Sequence, residues 1–386
     1  MKNRILIVLL SAILITSCNE DDTPSILVDD ASIGSQSELE EFGAKGYGSI
    51  AGSLMIATSD YSDPITDLSP LQTLTRVEGS FQILKTDITD LTGLNNLEEV
   101  NGFMSIDNNT SLTSLDGLSE LVRIDQSFFL RNNTNLASTI GLAKLNAVGS
   151  SLTISGNTLL QDILGFAQVT DVPNDLVVTG NPSLQSLDGL NNIHSTETLM
   201  IEFNPSLLDI SALVNLESVS TLSVRSNINL QNLNGLQGIT TTENVYLFRN
   251  DNLTSLSGLN NLSTVSRDFI ISINNSLTDL SGLNSLVNIG TLGIAENANL
   301  ENVNGLESSQ TIERIELHFN PKLTNLRGLH NLENSSVLKF FSNSALSDFC
   351  DVSDLVKSEA FTGFFDAREN AFNPSREDID SGSCSN

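Results

Sequence analysis

The chain has 386 residues, with 18 lysines and arginines against 47 aspartates and glutamates, which leaves a net charge of −29. A field of that sign repels polyanions and excludes nucleic acid as a partner. Three cysteines and three histidines occur without a Cys-x-x-Cys, His-Glu-x-x-His or Asp-x-Asp-x-Asp-Gly spacing, so no metal and no cofactor is expected.

In chain order, the first feature is an export signal: Lys2 and Arg4, an apolar run from Ile5 to Ile15, then Thr16-Ser17-Cys18. The run would rise only about 16 Å as a helix, roughly half a bilayer core, which is too short for a stable span. The small residues before Cys18 resemble the lipobox of bacterial lipoproteins, and that resemblance implies cleavage before Cys18 and a lipid on its thiol. A plain secretory signal with an incidental cysteine is the other reading. Asn19, Glu20, Asp21 and Asp22 come next, in a stretch too polar to build a core, read as a flexible acidic tether over 18–34. An acidic run behind a lipidated cysteine also resembles the surface-export signal of Bacteroidota lipoproteins.

Ser35 to Phe42 is expected to be a short amphipathic helix that caps the repeat region, with Ser37 and Glu40 spaced as a capping box. Two loose strands are expected near Leu54–Ile56 and Phe81–Leu84. A repeat then takes over. Asn-x-x-Leu occurs at Asn109, Asn133, Asn157, Asn181, Asn204, Asn227, Asn250, Asn274, Asn297, Asn320 and Asn343, at intervals of 24, 24, 24, 23, 23, 23, 24, 23, 23 and 23 residues. That period is a solenoid's.

Each unit carries two inner periods. Before the Asn the pattern alternates, as in Leu222-Ser223-Val224-Arg225, which means a strand with one buried face. After the Asn the spacing becomes three, as in Leu207, Ile210, Leu213, Leu216 and Val219, which leaves room for extended or 3₁₀-like corners but not for a full helix. A recurrent Gly-Leu pair, as at Gly258, marks a corner with positive φ or a tight stacking contact. The repeated Asn is read as structural, its side chain satisfying backbone groups of the turn and of neighbouring units.

The motif Leu-x-Ile-x-x-Asn-x-x-Leu, followed by Leu/Ile-x-Gly-Leu-x-x-Leu-x-x-Val, resembles the receptor L domain of insulin- and EGF-receptor ectodomains and the leucine-rich lipoproteins of Bacteroidota. Asn320-Pro321-Lys322-Leu323-Thr324-Asn325-Leu326-Arg327-Gly328-Leu329 is a good example, and leucine three residues after the Asn favours the L-domain variant over ordinary leucine-rich repeats. Asn370 to Ile379, leading to Cys384, resembles the C-terminal cap of the bacterial proteins. With Cys18 assigned to lipid, Cys350 and Cys384 remain, and in an oxidising compartment they can pair to close that cap. Phe361, Phe364, Phe365 and Phe372 between them are expected to cover the last coil.

The fold class is therefore all-β: a right-handed single-domain β-solenoid, L-domain-like, of about thirteen rungs and on the order of 60 Å long. The expected segments are a lipoprotein signal peptide over 1–17, the tether over 18–34, the solenoid with its N-terminal cap over 35–348 and a disulfide-closed cap over 349–386.

No catalytic constellation stands out. His194, His318 and His330 fall at different places in their repeats, and no Gly-x-Ser-x-Gly elbow or phosphate loop occurs, so an enzyme is not expected. The solvent-facing side of the sheet remains. Residues three and five before each Asn point inward, and those two and four before it point out. Met200, Glu202, Arg225, Tyr246, Phe248 and Ile270 then gather on adjacent rungs as a candidate partner-binding face. An ordinary β-surface, where Tyr, Phe and Ile are common anyway, is the competing account. The functional expectation is a recognition or adhesion protein, held on the exterior of the outer membrane by its N-terminal lipid and binding a protein or glycan. The alternatives are a passive spacer or assembly subunit of an outer-membrane complex, and placement on the periplasmic face.

Overall fold

The computed structural model describes residues 25–359 and 361–386. The signal peptide, Cys18 and the acidic run behind it lie outside the described residues. Ordered strands begin at once: Ser25–Leu27 pairs with Tyr47–Ile50, and Ala31–Ile33 pairs with Leu54–Ala57, all in parallel. Residues 25–33, expected within the tether, thus belong to the solenoid, because Ile33 reaches the core and its neighbours complete the first coil.

The main sheet is a file of fifteen parallel strands from Ala31–Ile33 to Phe364–Arg368, each bonded to the strands one coil before and after it. Two rungs exceed the expected thirteen, the first at Ala31–Ile33 and the last at Phe364–Arg368, inside the segment expected as a cap. Neither carries the Asn-x-x-Leu signature. Fourteen inter-strand steps give a body of roughly 65 Å.

The alternation of interval between 24 and 23 has a structural meaning. Up to Ala147–Val148 each coil carries a second short strand, such as Glu99–Val100 and Arg123–Ile124, in a separate six-stranded sheet; the coil from Asn157 to Asn181 keeps 24 residues without one. From Asn181 onward most coils lose one residue at that corner, and the two strands fuse into single strands of eight residues, as in Ser195–Glu202 and Ser218–Arg225. The interval of 24 between Asn250 and Asn274 keeps the extra residue as a register irregularity between Val265 and Asp268. That is a β-bulge, two residues opposing one.

The core is one continuous aliphatic column. Leu207, Ile210, Leu213, Leu216 and Val219, the period-three residues of one coil, are all buried, as are Leu222 and Val224 on its strand. The outer corners are short 3₁₀ turns such as Ile140–Leu142 and Ser211–Asn215. At the glycine corner Gly258 has φ 108°, and a Cβ there would overlap the carbonyl oxygen of Leu233 on the preceding coil, whereas the coil with Ala212 at this position turns instead through the 3₁₀ segment Ser211–Asn215.

The asparagines form a buried file. Asn250 donates from Nδ2 to the carbonyl of Val224 at 2.9 Å, and its Oδ1 accepts from the backbone nitrogen of Asn227 at 3.1 Å. All eleven are fully buried and every coil repeats this pattern, so each side chain satisfies backbone groups of the coil before it. At the start of the file Thr86 substitutes, its backbone nitrogen and Oγ1 both donating to Asn109 Oδ1.

The helix Gln36–Gly43 forms, but its N-cap is Ser35, whose hydroxyl accepts from the Glu38 nitrogen, while the Glu38 carboxylate accepts from the Gly34 nitrogen; the box expected at Ser37 and Glu40 does not form. At the other end Cys350 and Cys384 are bonded, with their Cα atoms 4.9 Å apart. Phe361 is buried and Phe365 and Phe372 pack against the core, but Phe364 points outward and remains 54% exposed. Phe349, unassigned from sequence, takes its place among the rings that close the column.

Candidate binding face

Alternation places the outward residues in two columns. The strand registers align Met200 with Ser223, Ser223 with Tyr246, and Tyr246 with Ile270. The same pairings align Glu202 with Arg225 and Arg225 with Phe248. All six candidate residues therefore share one face, with Met200 separated from Tyr246 by the small Ser223.

Their side chains interlock. The Arg225 guanidinium lies 5.2 Å from the centroid of the Tyr246 ring, and its Nε is 3.5 Å from Glu202 Oε1. Ser223 donates to that same carboxylate oxygen at 2.6 Å, and the Tyr246 hydroxyl donates to Asp268 Oδ2 at 3.3 Å. Burial first, and the Asp268 carboxylate second, push the Tyr246 phenol above its ordinary value, so it stays a neutral donor at physiological pH. Phe248 has no such partner and is 37% exposed. Ile270 leans over Gly293, its Cδ1 2.7 Å from where a Cβ would stand. The Tyr246 ring is thus held by polar neighbours, with the Phe248 ring and the Ile270 side chain beside it, an arrangement suited to contact.

A third column is invisible to strand alternation. The residue just before each ladder Asn has a left-handed backbone: Asn108, Asn132, Gly156 and Gly180 early on, then Phe203, Ser226, Arg249, Ile273, Glu296, Phe319 and Ser342. Phe203 and Phe319 are 55% and 51% exposed. The usable signal is the change from Asn and Gly to Phe at a position where Asn and Gly are the comfortable residues. Alternation stops at this corner, so the inward and outward rule could not place it.

Among the described residues no group of three or more His, Cys, Asp or Glu could hold a metal. No helix among them is long and apolar enough to cross a membrane. Two open cavities, of about 690 and 770 Å³, lie away from the sheet face, beside the C-terminal cap at Glu333 and Leu355.

Residues 48–140 match the receptor L domain family model. That segment is about a quarter of the chain, and the L-domain resemblance carried by the repeat motif has this independent support. Among solved structures, a leucine-rich-repeat protein of Leptospira interrogans is similar at 17% identity, over 82% of this chain and 90% of that one, with a TM-score of 0.33. TLR13, in its complex with ssRNA13, is similar at 15% identity, over 83% of this chain and 58% of that one, with a TM-score of 0.35. No curated protein matches the sequence. An L-domain-like solenoid suggests ligand binding in general, and folds of this kind are typically not enzymes.

Proposed function

We propose that the protein is a lipid-anchored recognition module of the bacterial cell surface, which binds a protein or glycan partner through the sheet face centred on Tyr246 and Phe248. The observation that carries this reading is the exposed Phe248 beside a Tyr246 fixed by Arg225 and Asp268, with Met200 and Ile270 in the adjoining outward column. Exposed rings on a rigid, polar-rimmed surface have the composition of interaction hot spots. The export signal and the lipobox-like Thr16-Ser17-Cys18 support the anchor, and the acidic run at Glu20, Asp21 and Asp22 supports display on the exterior.

The binding claim is tested by screening the purified protein against immobilised glycans and extracellular proteins. The double substitution Tyr246→Ala with Phe248→Ala is expected to abolish the interactions found, at an unchanged melting temperature; retained affinity would overturn the assignment of this face. For the anchor, Cys18→Ala is expected to stop incorporation of labelled palmitate. Protease added to intact cells is expected to remove the parent protein, and its protection would place it on the inner side of the membrane.

A further inference from the structure

Beyond Ala295 the same face carries a second group of rings, separate from the Tyr246 surface. His318 and Phe341 lie opposite each other on adjacent strands, with ring planes 2° apart and centroids at 4.7 Å. Phe319 stands edge-on to both, 5.6 Å from His318 and 5.7 Å from Phe341. Phe319 is the ring left open to solvent, although its φ of 57° is one that Asn or Gly would hold with less strain. The left-handed turn recurs before the other ladder asparagines, so what sets position 319 apart is a half-exposed ring, which the Asn or Gly found at this corner in earlier coils would not present to solvent.

The rim of this step is polar. Glu316 pairs with Arg314 at 3.0 Å and with Lys339 at 3.2 Å, Glu296 sits one rung away, and Ser342 bonds Glu369. His318 Nδ1 is buried and has no hydrogen-bond partner. The neighbouring outward residues Ser272, Gly293 and Ala295 are small and already buried, so the apolar area does not continue along the sheet.

We propose that the Phe319, His318 and Phe341 step binds a neutral pyranose oligosaccharide. The exposed apolar area ends at the small, buried Ser272, Gly293 and Ala295, which suits a small ring-shaped ligand better than a broad apolar interface. One or two sugar rings match the extent of this step. The axial C–H hydrogens of a pyranose carry partial positive charge that suits the negative face of an aromatic ring, and its hydroxyls need the carboxylates, ammonium and hydroxyl of the rim. A net charge of −29 disfavours polyanionic saccharides and leaves neutral ones. The inference rests on the sheet face being a binding surface, but not on the residues at Tyr246 and Phe248.

The test is calorimetric titration of the purified protein with the hexasaccharides of cellulose, laminarin, chitin, β-mannan and xylan, with a polygalacturonate hexamer as the acidic control. At least one neutral hexasaccharide is expected to bind, and Phe319→Ala and Phe341→Ala are each expected to weaken it about tenfold. Phe319→Asn is expected to lose the sugar while raising the melting temperature, an outcome that a merely structural Phe319 could not give. The Tyr246→Ala, Phe248→Ala variant is expected to bind sugar as the parent does. Failure of every neutral hexasaccharide, or full affinity in Phe319→Ala, would overturn the proposal and leave the Tyr246 surface to be judged by its own double substitution.

Discussion

Asn370 Oδ1 accepts from both the backbone nitrogen and Nδ2 of Asn343, at 3.1 and 3.2 Å, although 27 residues separate the two in sequence. The asparagine file thus runs one coil past the last Asn-x-x-Leu and ends where Asn373 Oδ1 accepts from the Asn370 nitrogen at 2.8 Å. Interior and terminal members of the file differ in burial and should differ in worth. Asn250→Ala leaves the Val224 carbonyl and the Asn227 nitrogen buried without partners and is expected to cost about 3 kcal/mol or more. Asn370→Ala, half-buried at the cap, is expected to cost about 1 kcal/mol. Urea unfolding of the two variants measures the gap, and equal losses would count against a burial-controlled ladder.

Two glycines separate strain from collision. Gly46 has φ 63° and open space where a Cβ would stand, so Gly46→Ala is expected to cost only about 1 kcal/mol. Gly258 combines φ 108° with the Leu233 carbonyl in the way. Gly258→Ala is expected to be severely destabilising, on the scale of strained core overpacking, about 3 kcal/mol or more. Melting temperatures of the pair give the comparison directly.

Burial holds the His318 imidazole below its ordinary pKa of 6.5, against the opposing pull of Glu316 and Glu296. The unfolded chain therefore binds the proton more readily than the folded one. The stability tied to the neutral ring is present in full above pH 6.5 and is lost as pH falls from there through the folded value. A melting curve series from pH 7.5 down to pH 5 is expected to decline less steeply for His318→Phe than for the parent, as about one proton's linkage is removed. Identical slopes, or an NMR titration midpoint of the ring above 6.5, would refute the sign.

The disulfide closes a loop whose cysteines are 34 residues apart. Replacing both cysteines by serine is expected to cost about 4 kcal/mol on chain-entropy grounds. The loss should appear first at the C-terminal end, where hydrogen exchange of the Phe364–Arg368 strand reports it before that of Ser218–Arg225.

Much of this architecture was legible because two residue types repeat for rigid reasons. Asn cannot leave the file without stranding backbone groups, and the leucine three residues later cannot leave the column, so both wrote their period into the chain. Terminal coils need only half of that machinery. Ala31–Ile33 and Phe364–Arg368 accordingly lack the motif and do not show as rungs in the repeat pattern. The intervals of 24 and 23 were visible, but their meaning depends on where a coil's extra residue is absorbed, as a second strand or as the irregularity after Val265.

The face was legible to the depth that alternation allows. Tyr246, Phe248 and Ile270 emerge from a period of two and a fixed register. Phe203 and Phe319 do not, because the chain turns left-handed at those residues and the parity that sorts inside from outside ends there.

The parallel register has a last consequence for how such a molecule changes size. The seam between any two coils presents the same carbonyls and the same asparagine amides to the adjoining coil, so the stretch from Asn227 to Asn250 meets equivalent partners at either boundary. Duplicating or excising that stretch is expected to lengthen or shorten the rod by one step of about 4.8 Å. The reach of the rod is thereby adjustable in units of a single coil.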